Sequence, residues 1–138
     1  MRLFLDTNIL IDIIEDRAEF AEDSSAVLIL AEQLGASLSI AWHGLATAYY
    51  IIRRDRTEHA AMIEVDRILG WAEIASVDSF SASRARSLQL PDFEDAMQCA
   101  CAENCLADFI VTRNLRDFAL SPIQAISPAE FIARFARA

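Results

Sequence analysis

The run Leu3-Phe4-Leu5, broken at once by Asp6-Thr7-Asn8, does most to narrow what this chain can fold into. Ile9, Leu10, Ile13 and Ile14 follow at helical spacing, so the first residues read as a buried strand, a polar turn and a helix. In open α/β sheets the functional crevice lies beyond the carboxyl ends of the strands, and Asp6 therefore stands where chemistry would be done. The plainer alternative is that Asp6 or Asn8 only caps the helix, a common use of such residues.

The rest of the chain repeats the alternation. Ile9 to Asp16 reads as a first helix, and Glu19 to Leu34 as a second with Gly35 as its terminator. Ser37 to Ala41 suits a second strand, followed by a helix from about His43 to Arg54 and another that Thr57 caps and Gly70 closes. A third strand is expected within Trp71 to Val77, then a helix capped by Asp78, and Pro91 starts a helical stretch over Asp92 to Glu103. Ala107 to Thr112 is a clear interior strand, Ile123 to Ile126 a further one, and Ser127-Pro128 opens a closing helix. Strands alternating with helices predict an α/β fold: a three-layer α/β/α sandwich around a central, mostly parallel sheet. The 138 residues, 54% of them hydrophobic, suffice for one such core and leave no room for a second, so 1–138 is read as a single domain.

No apolar run approaches the length that crosses a bilayer, and no signal-peptide pattern opens the chain, so a cytoplasmic protein without membrane contact is expected. Cys99, Cys101 and Cys105 crowd one helix with no second cluster to complete a metal site, which reads as small apolar residues in reduced form. The formal charge of −9 argues against gripping nucleic acid by bulk electrostatics, yet acids gathered around a divalent cation present a reversed local field to a phosphate. All basic residues are arginines. Arg53, Arg54 and Arg56, Arg84 with Arg86, and Arg113 with Arg116 are the candidates for forked phosphate contacts, against the plainer reading of solvated helix ends.

Two later stretches echo the first. In Pro91-Asp92-Phe93-Glu94-Asp95-Ala96-Met97-Gln98, three acids open a helix, which the macrodipole favours on its own. Asp95 nevertheless lies beside the apolar stripe, and Asp92, three residues earlier, can share its side of the helix. An acid against apolar neighbours is costly to ionise without a compensating cation or donors. In Thr112-Arg113-Asn114-Leu115-Arg116-Asp117-Phe118 a strand again ends in hydroxyl, amide and carboxylate groups. Thr112 can bond a ligating carboxylate, Asn114 can offer a carbonyl oxygen and Asp117 can complete an acidic ring; the alternative is an ordinary turn.

With these motifs, RLFLDTNILID at the start and PDFEDAMQCACAENCLADFIVTRNLRDF in the second half, the chain resembles the PIN domain family, in particular VapC-type toxins of bacterial toxin–antitoxin pairs. The resemblance implies a Mg²⁺ or Mn²⁺ site of clustered acids and metal-assisted hydrolysis of RNA, single-stranded or looped. Asp6 matches the first metal acid, Asp95 the aspartate of the central helix, and Asp117 lies in the C-terminal acidic motif, making these three the expected catalytic and metal-binding residues. Asn8, Asp92, Thr112 and Asn114 are expected in support, with Arg53, Arg54, Arg113 and Arg116 toward RNA phosphates. The family usually carries a glutamate on the helix after the second strand; the best match here is Thr47, a hydroxyl that cannot supply its charge. His43 is a candidate proton-transfer group or phosphate contact, or a structural helix-start residue. The implied partners are RNA and a cognate antitoxin whose arginine-bearing or helical segment occupies the cleft; separately, the apolar stripe around Tyr49, Tyr50 and Ile51 points to a homodimer, against the plainer reading of an aromatic stripe as core. The competing function is a PIN-like domain that has lost catalysis and serves binding or assembly. A phosphatase or receiver fits less well, because no lysine exists to complete its phosphate site.

Overall fold

The computed structural model describes residues 1–136. Its sheet has five parallel strands in the order β3-β2-β1-β4-β5: β1 (Arg2–Leu5), β2 (Ser37–Ile40), β3 (Glu73–Ile74), β4 (Phe109–Val111) and β5 (Ala125–Ile126). The chain moves outward from β1 to β2 and β3, then returns to lay β4 on the other side of β1. The order therefore reverses between β1 and β4, the switch point at which open α/β sheets form their crevice.

Among the described residues seven helices cover the sheet: α1 (Thr7–Ile14), α2 (Ala21–Gln33), α3 (Trp42–Asp55), α4 (Glu58–Trp71), α5 (Ser79–Ser87), α6 (Phe93–Asn104) and α7 (Pro128–Phe135). Because successive strand residues point to opposite faces, Leu3 and Leu5 join one core and Phe4 another. The first core adds Ile9, Val27, Leu45, Ile68 and Phe131, so α1 to α4 and α7 cover that face. The second adds Cys99, Cys101, Ile110 and Phe118, placing α6 on the opposite face, with Ala85 of α5 against Ala96 and Ala100. This is the expected α/β/α sandwich. The three cysteines are free thiols, two of them buried, and no helix among the described residues is long and apolar enough to cross a membrane.

Local chemistry sets the boundaries. Asp6 is the N-cap of α1, which starts two residues earlier than the apolar periodicity indicates. Pro91 does not open α6: Asp92 is its N-cap, accepting from the Asp95 N–H at 3.1 Å, and the proline stands outside the helix. Gly35, at φ 62, takes the left-handed conformation that ends α2. The third strand shrinks to Glu73–Ile74 because only those residues pair with β2.

Candidate metal centre at the sheet switch point

Asp6 follows β1 and Thr112 follows β4, so the two residues face each other across the switch point. The Asp6 N–H bonds the Val111 carbonyl at 3.0 Å, continuing the ladder up to Asp6 itself. The Asp6 side chain is 1% exposed, and both of its oxygens are held. Thr112 Oγ1 donates to Oδ2 at 2.6 Å, and Gln98 Nε2 donates to Oδ1 at 2.7 Å; the Asn8 N–H contributes a longer capping bond of 3.4 Å to Oδ1. Thr112 Oγ1 in turn accepts the Asn114 N–H at 2.9 Å. Asp6 thus caps its helix and belongs to the site at once, and the two sequence alternatives are not exclusive. Burial pushes its carboxyl above the usual carboxylate range, with the Thr112 and Gln98 hydrogen bonds pulling the other way.

The first turn of α6 brings the remaining charge. Carboxylate oxygens of Asp92, Glu94 and Asp95 lie within 4.8 Å of one another, with Asp95 buried and the other two exposed. Gln98 Nε2 also donates to Glu94 Oε2 at 3.0 Å, so a single nitrogen joins Asp6 to this cluster. Burial and then the charge of Asp6, Glu94 and Asp92 raise the Asp95 carboxyl to about 7. His43, on the first turn of α3, meets Glu94 Oε1 through Nε2 at 3.1 Å. No arginine among the described residues pairs with Asp6, Asp92, Glu94 or Asp95. Hard oxygen donors, crowded until one carboxyl is lifted to about 7 and met by His43 at Glu94 but by no arginine among the described residues, are a donor set suited to a small divalent cation.

The other expected residues make the following contacts. Asp117 sits half-buried in the turn after β4, its N–H on the Asn114 carbonyl at 3.0 Å, and no side-chain hydrogen bond ties it to Asp6 or Asp95 among the described residues. Asn114 contributes its backbone N–H and carbonyl to that turn. Thr47 is exposed, and its hydroxyl is turned back onto the His43 carbonyl at 3.0 Å. Arg113 is engaged inward: it forks onto the fully buried Asp12 at 2.6 and 3.2 Å and lies over the Phe20 ring at 3.9 Å. Arg53 pairs with Glu58 at 2.9 Å and with the Arg56 carbonyl, while Arg54 lies near Glu15 and Asp55. Arg116 is exposed, with no ion pair among the described residues.

Glu94, Gln98 and Thr7 are in the site although the motifs did not assign them a role. Thr7 turns both its N–H, at 2.9 Å, and its Oγ1, at 3.2 Å, toward Gln98 Oε1. Gly44 permits this: a Cβ there would come within 2.8 Å of Thr7 Oγ1, so only a glycine lets α3 approach α1 so closely. The available signal was helical arithmetic, since Gln98 stands three residues from Asp95 and four from Glu94, a lone amide inside an apolar run.

A sequence model of the PIN domain matches residues 2–116. Solved structures match along nearly their whole length at low identity. VapBC2 from Rickettsia felis, bound to a DNA fragment from its promoter, aligns with TM-score 0.73 and 18% identity over 92% of this chain and 98% of that one. VapBC-1 from nontypeable Haemophilus influenzae gives 0.70 and 15% over 94% and 99%. A toxin–antitoxin complex from Klebsiella pneumoniae gives 0.69 and 22% over 91% and 97%. No curated protein matches. With the sequence match spanning most of its length and the same sandwich recurring in these structures, this chain belongs to the PIN domain family.

Proposed function

We propose that the chain is a metal-dependent endoribonuclease acting on single-stranded RNA, and that it serves as the toxin of a toxin–antitoxin pair in the manner of VapC. The observation that carries the proposal is that one amide nitrogen, Gln98 Nε2, bonds both Asp6 at the tip of β1 and Glu94, whose carboxylate clusters with those of Asp92 and Asp95 at the start of α6. Asp6 and Asp95, 89 positions apart in sequence, stand in a cluster that no arginine neutralises among the described residues and whose one basic neighbour is His43 on Glu94, a donor set suited to Mg²⁺ or Mn²⁺. The antitoxin partner is inferred from the matched structures, which are toxin–antitoxin assemblies.

Asp6 and Asp95 would hold the cation, with Glu94 and Asp92 adding charge from the rim in place of the glutamate that Thr47 does not supply. Once bound, the cation offers Lewis acidity toward the scissile phosphate and toward an attacking water. Thr112 orients the Asp6 carboxylate through Oδ2 before the substrate arrives. His43 stands at the open side of Glu94, where a proton or a phosphate oxygen can be met. Asp117 and Asn114 remain candidates from the turn beside β4, and Arg116, like Arg86, is exposed without an ion pair among the described residues and can reach flanking phosphates. Tyr50, exposed on α3, keeps the proposal of a homodimer through that helix open to a sedimentation measurement.

The test is cleavage of unstructured RNA by the purified chain in Mn²⁺. Activity is expected to disappear in EDTA and to fall at least about a hundredfold in Asp6→Asn and Asp95→Asn, the range for losing a group that acts in the transition state. Cleavage unchanged in either variant or in chelator defeats the proposal. The second reading, a PIN domain retained for binding or assembly, is favoured by Thr47, whose hydroxyl bonds its own helix rather than the site. Calorimetry separates the two, because the assembly module takes up no Mn²⁺.

A further inference from the structure

Gln98 is the most tightly specified polar side chain in the molecule. It is 1% exposed, and its carboxamide uses all four of its hydrogen-bonding positions. The two Nε2 protons go to Asp6 Oδ1 and Glu94 Oε2, at 2.7 and 3.0 Å, and the two lone pairs of Oε1 receive the N–H and hydroxyl of Thr7, at 2.9 and 3.2 Å. The orientation of the amide follows from its neighbours. Turned over, it would set an oxygen against two carboxylates and an NH₂ group against the Thr7 N–H, so the nitrogen must face the acids.

That nitrogen is the nearest approach to positive charge between Asp6 and Glu94. It therefore does, weakly, what a divalent cation would do strongly: it draws the carboxylate of the β1 tip and the carboxylate of α6 to a common point. An amide proton and a metal ion make opposing claims on the same oxygen lone pairs, since each Asp6 or Glu94 oxygen given to Nε2 is less available as a ligand. Thr7 strengthens the amide's claim by clamping Oε1, and Gly44 holds Thr7 in place by letting α3 close upon it. The clamp spans β1, α1, α3 and α6, so it belongs to the fold and not to a loose side chain.

We propose that Gln98 is a positioning residue that competes with the divalent cation for Asp6 and Glu94, and so sets the cation concentration at which the centre fills. It holds the two carboxylates together and yields one or both of its Nε2 bonds when the ion enters. The inference rests on the reading of this cluster as a cation centre, and its test is arranged so that the two can fail separately.

The experiment is calorimetric titration of the full chain with MnCl₂ after stripping with EDTA, for wild type, Gln98→Met and Thr7→Val. Gln98→Met keeps the volume and removes the competing donors; Thr7→Val keeps the shape and removes one of the donors that clamp Oε1. Gln98→Met is expected to bind Mn²⁺ about tenfold more tightly than wild type, equivalent to ~1.4 kcal/mol, and Thr7→Val to shift the same way by a smaller factor. If Gln98→Met does not fold, Thr7→Val decides alone. A second readout is the side-chain NH₂ pair of Gln98 in a ¹⁵N spectrum, which should move progressively on titration with diamagnetic MgCl₂ until the centre is saturated. Wild type binding Mn²⁺ while the variants bind equally or more weakly overturns the inference and leaves the nuclease reading standing; an NH₂ pair unmoved at saturating Mg²⁺ does the same. Binding by Gln98→Met alone supports the inference and overturns the nuclease reading. No binding by any of the three overturns both.

Discussion

Asp95 shows how a single carboxyl acquires a pH dependence from its surroundings. Burial first, then Asp6, Glu94 and Asp92, lift it to about 7, against 3.8 for the unperturbed group. A group raised on folding binds its proton more tightly in the native state, so its contribution to stability is complete below the unfolded value and is lost as pH rises through about 7. In EDTA the protein should therefore be less stable at about pH 8 than at about pH 5 by an amount that Asp95→Asn abolishes. Allowing for screening at the exposed rim, the difference is ~1–2 kcal/mol. Urea titrations of both proteins at both pH values check this, and equal slopes would refute it. The candidate acids Asp6 and Asp95 were legible because each stands beside an apolar run. Gln98 was much less so, since nothing in a neutral amide marks it before its neighbours are known.

At the scale of elements, the segment from β4 into its following turn shows how one motif divides its labour. Thr112 points its hydroxyl to Asp6, and the next residue, Arg113, turns to the other side and closes on Asp12 of α1. Arginine in a strand-tip motif suggests phosphate contact when read alone. Its actual neighbour is a fully buried carboxylate, with Arg17 a more distant partner at 3.6 Å. Removing one member of a buried pair leaves the other uncompensated, so Arg113→Met should destabilise the fold by ~3 kcal/mol. Asp12→Asn combined with it should recover part of that loss, as a double-mutant cycle in urea would report. Helix existence and order followed from apolar spacing, cap residues and Gly35. The ends moved by a residue or two where a side chain competed with the backbone, as when Asp92 took the cap that the proline was expected to start.

The whole molecule is a frame that brings carboxylates distant in sequence to the two sides of one amide, Gln98 bonding both Asp6 and Glu94. The sheet order makes β1 and β4 neighbours although more than a hundred residues separate them, and α6 lies across the face beside them. Ion binding to such a frame is coupled to its folding. At about one hundred times the dissociation constant, Mn²⁺ should add ~2.7 kcal/mol to stability, a rise in Tm of roughly 10 °C for a domain of this size, and Asp6→Asn should remove it. A thermal melt indifferent to Mn²⁺ would speak against a cation centre. The sequence by itself determined the alternation of strands and helices, the layered α/β fold and the acids ending β1 and opening α6, because periodicity, capping and burial are local properties of neighbouring residues. Only the tertiary structure decided that Gln98 and Glu94 join Asp6, that Arg113 serves Asp12, and that Thr47 turns back on its own helix. Those are choices among partners far apart in the chain, and they are made by which surfaces the packed sheet brings within hydrogen-bonding distance.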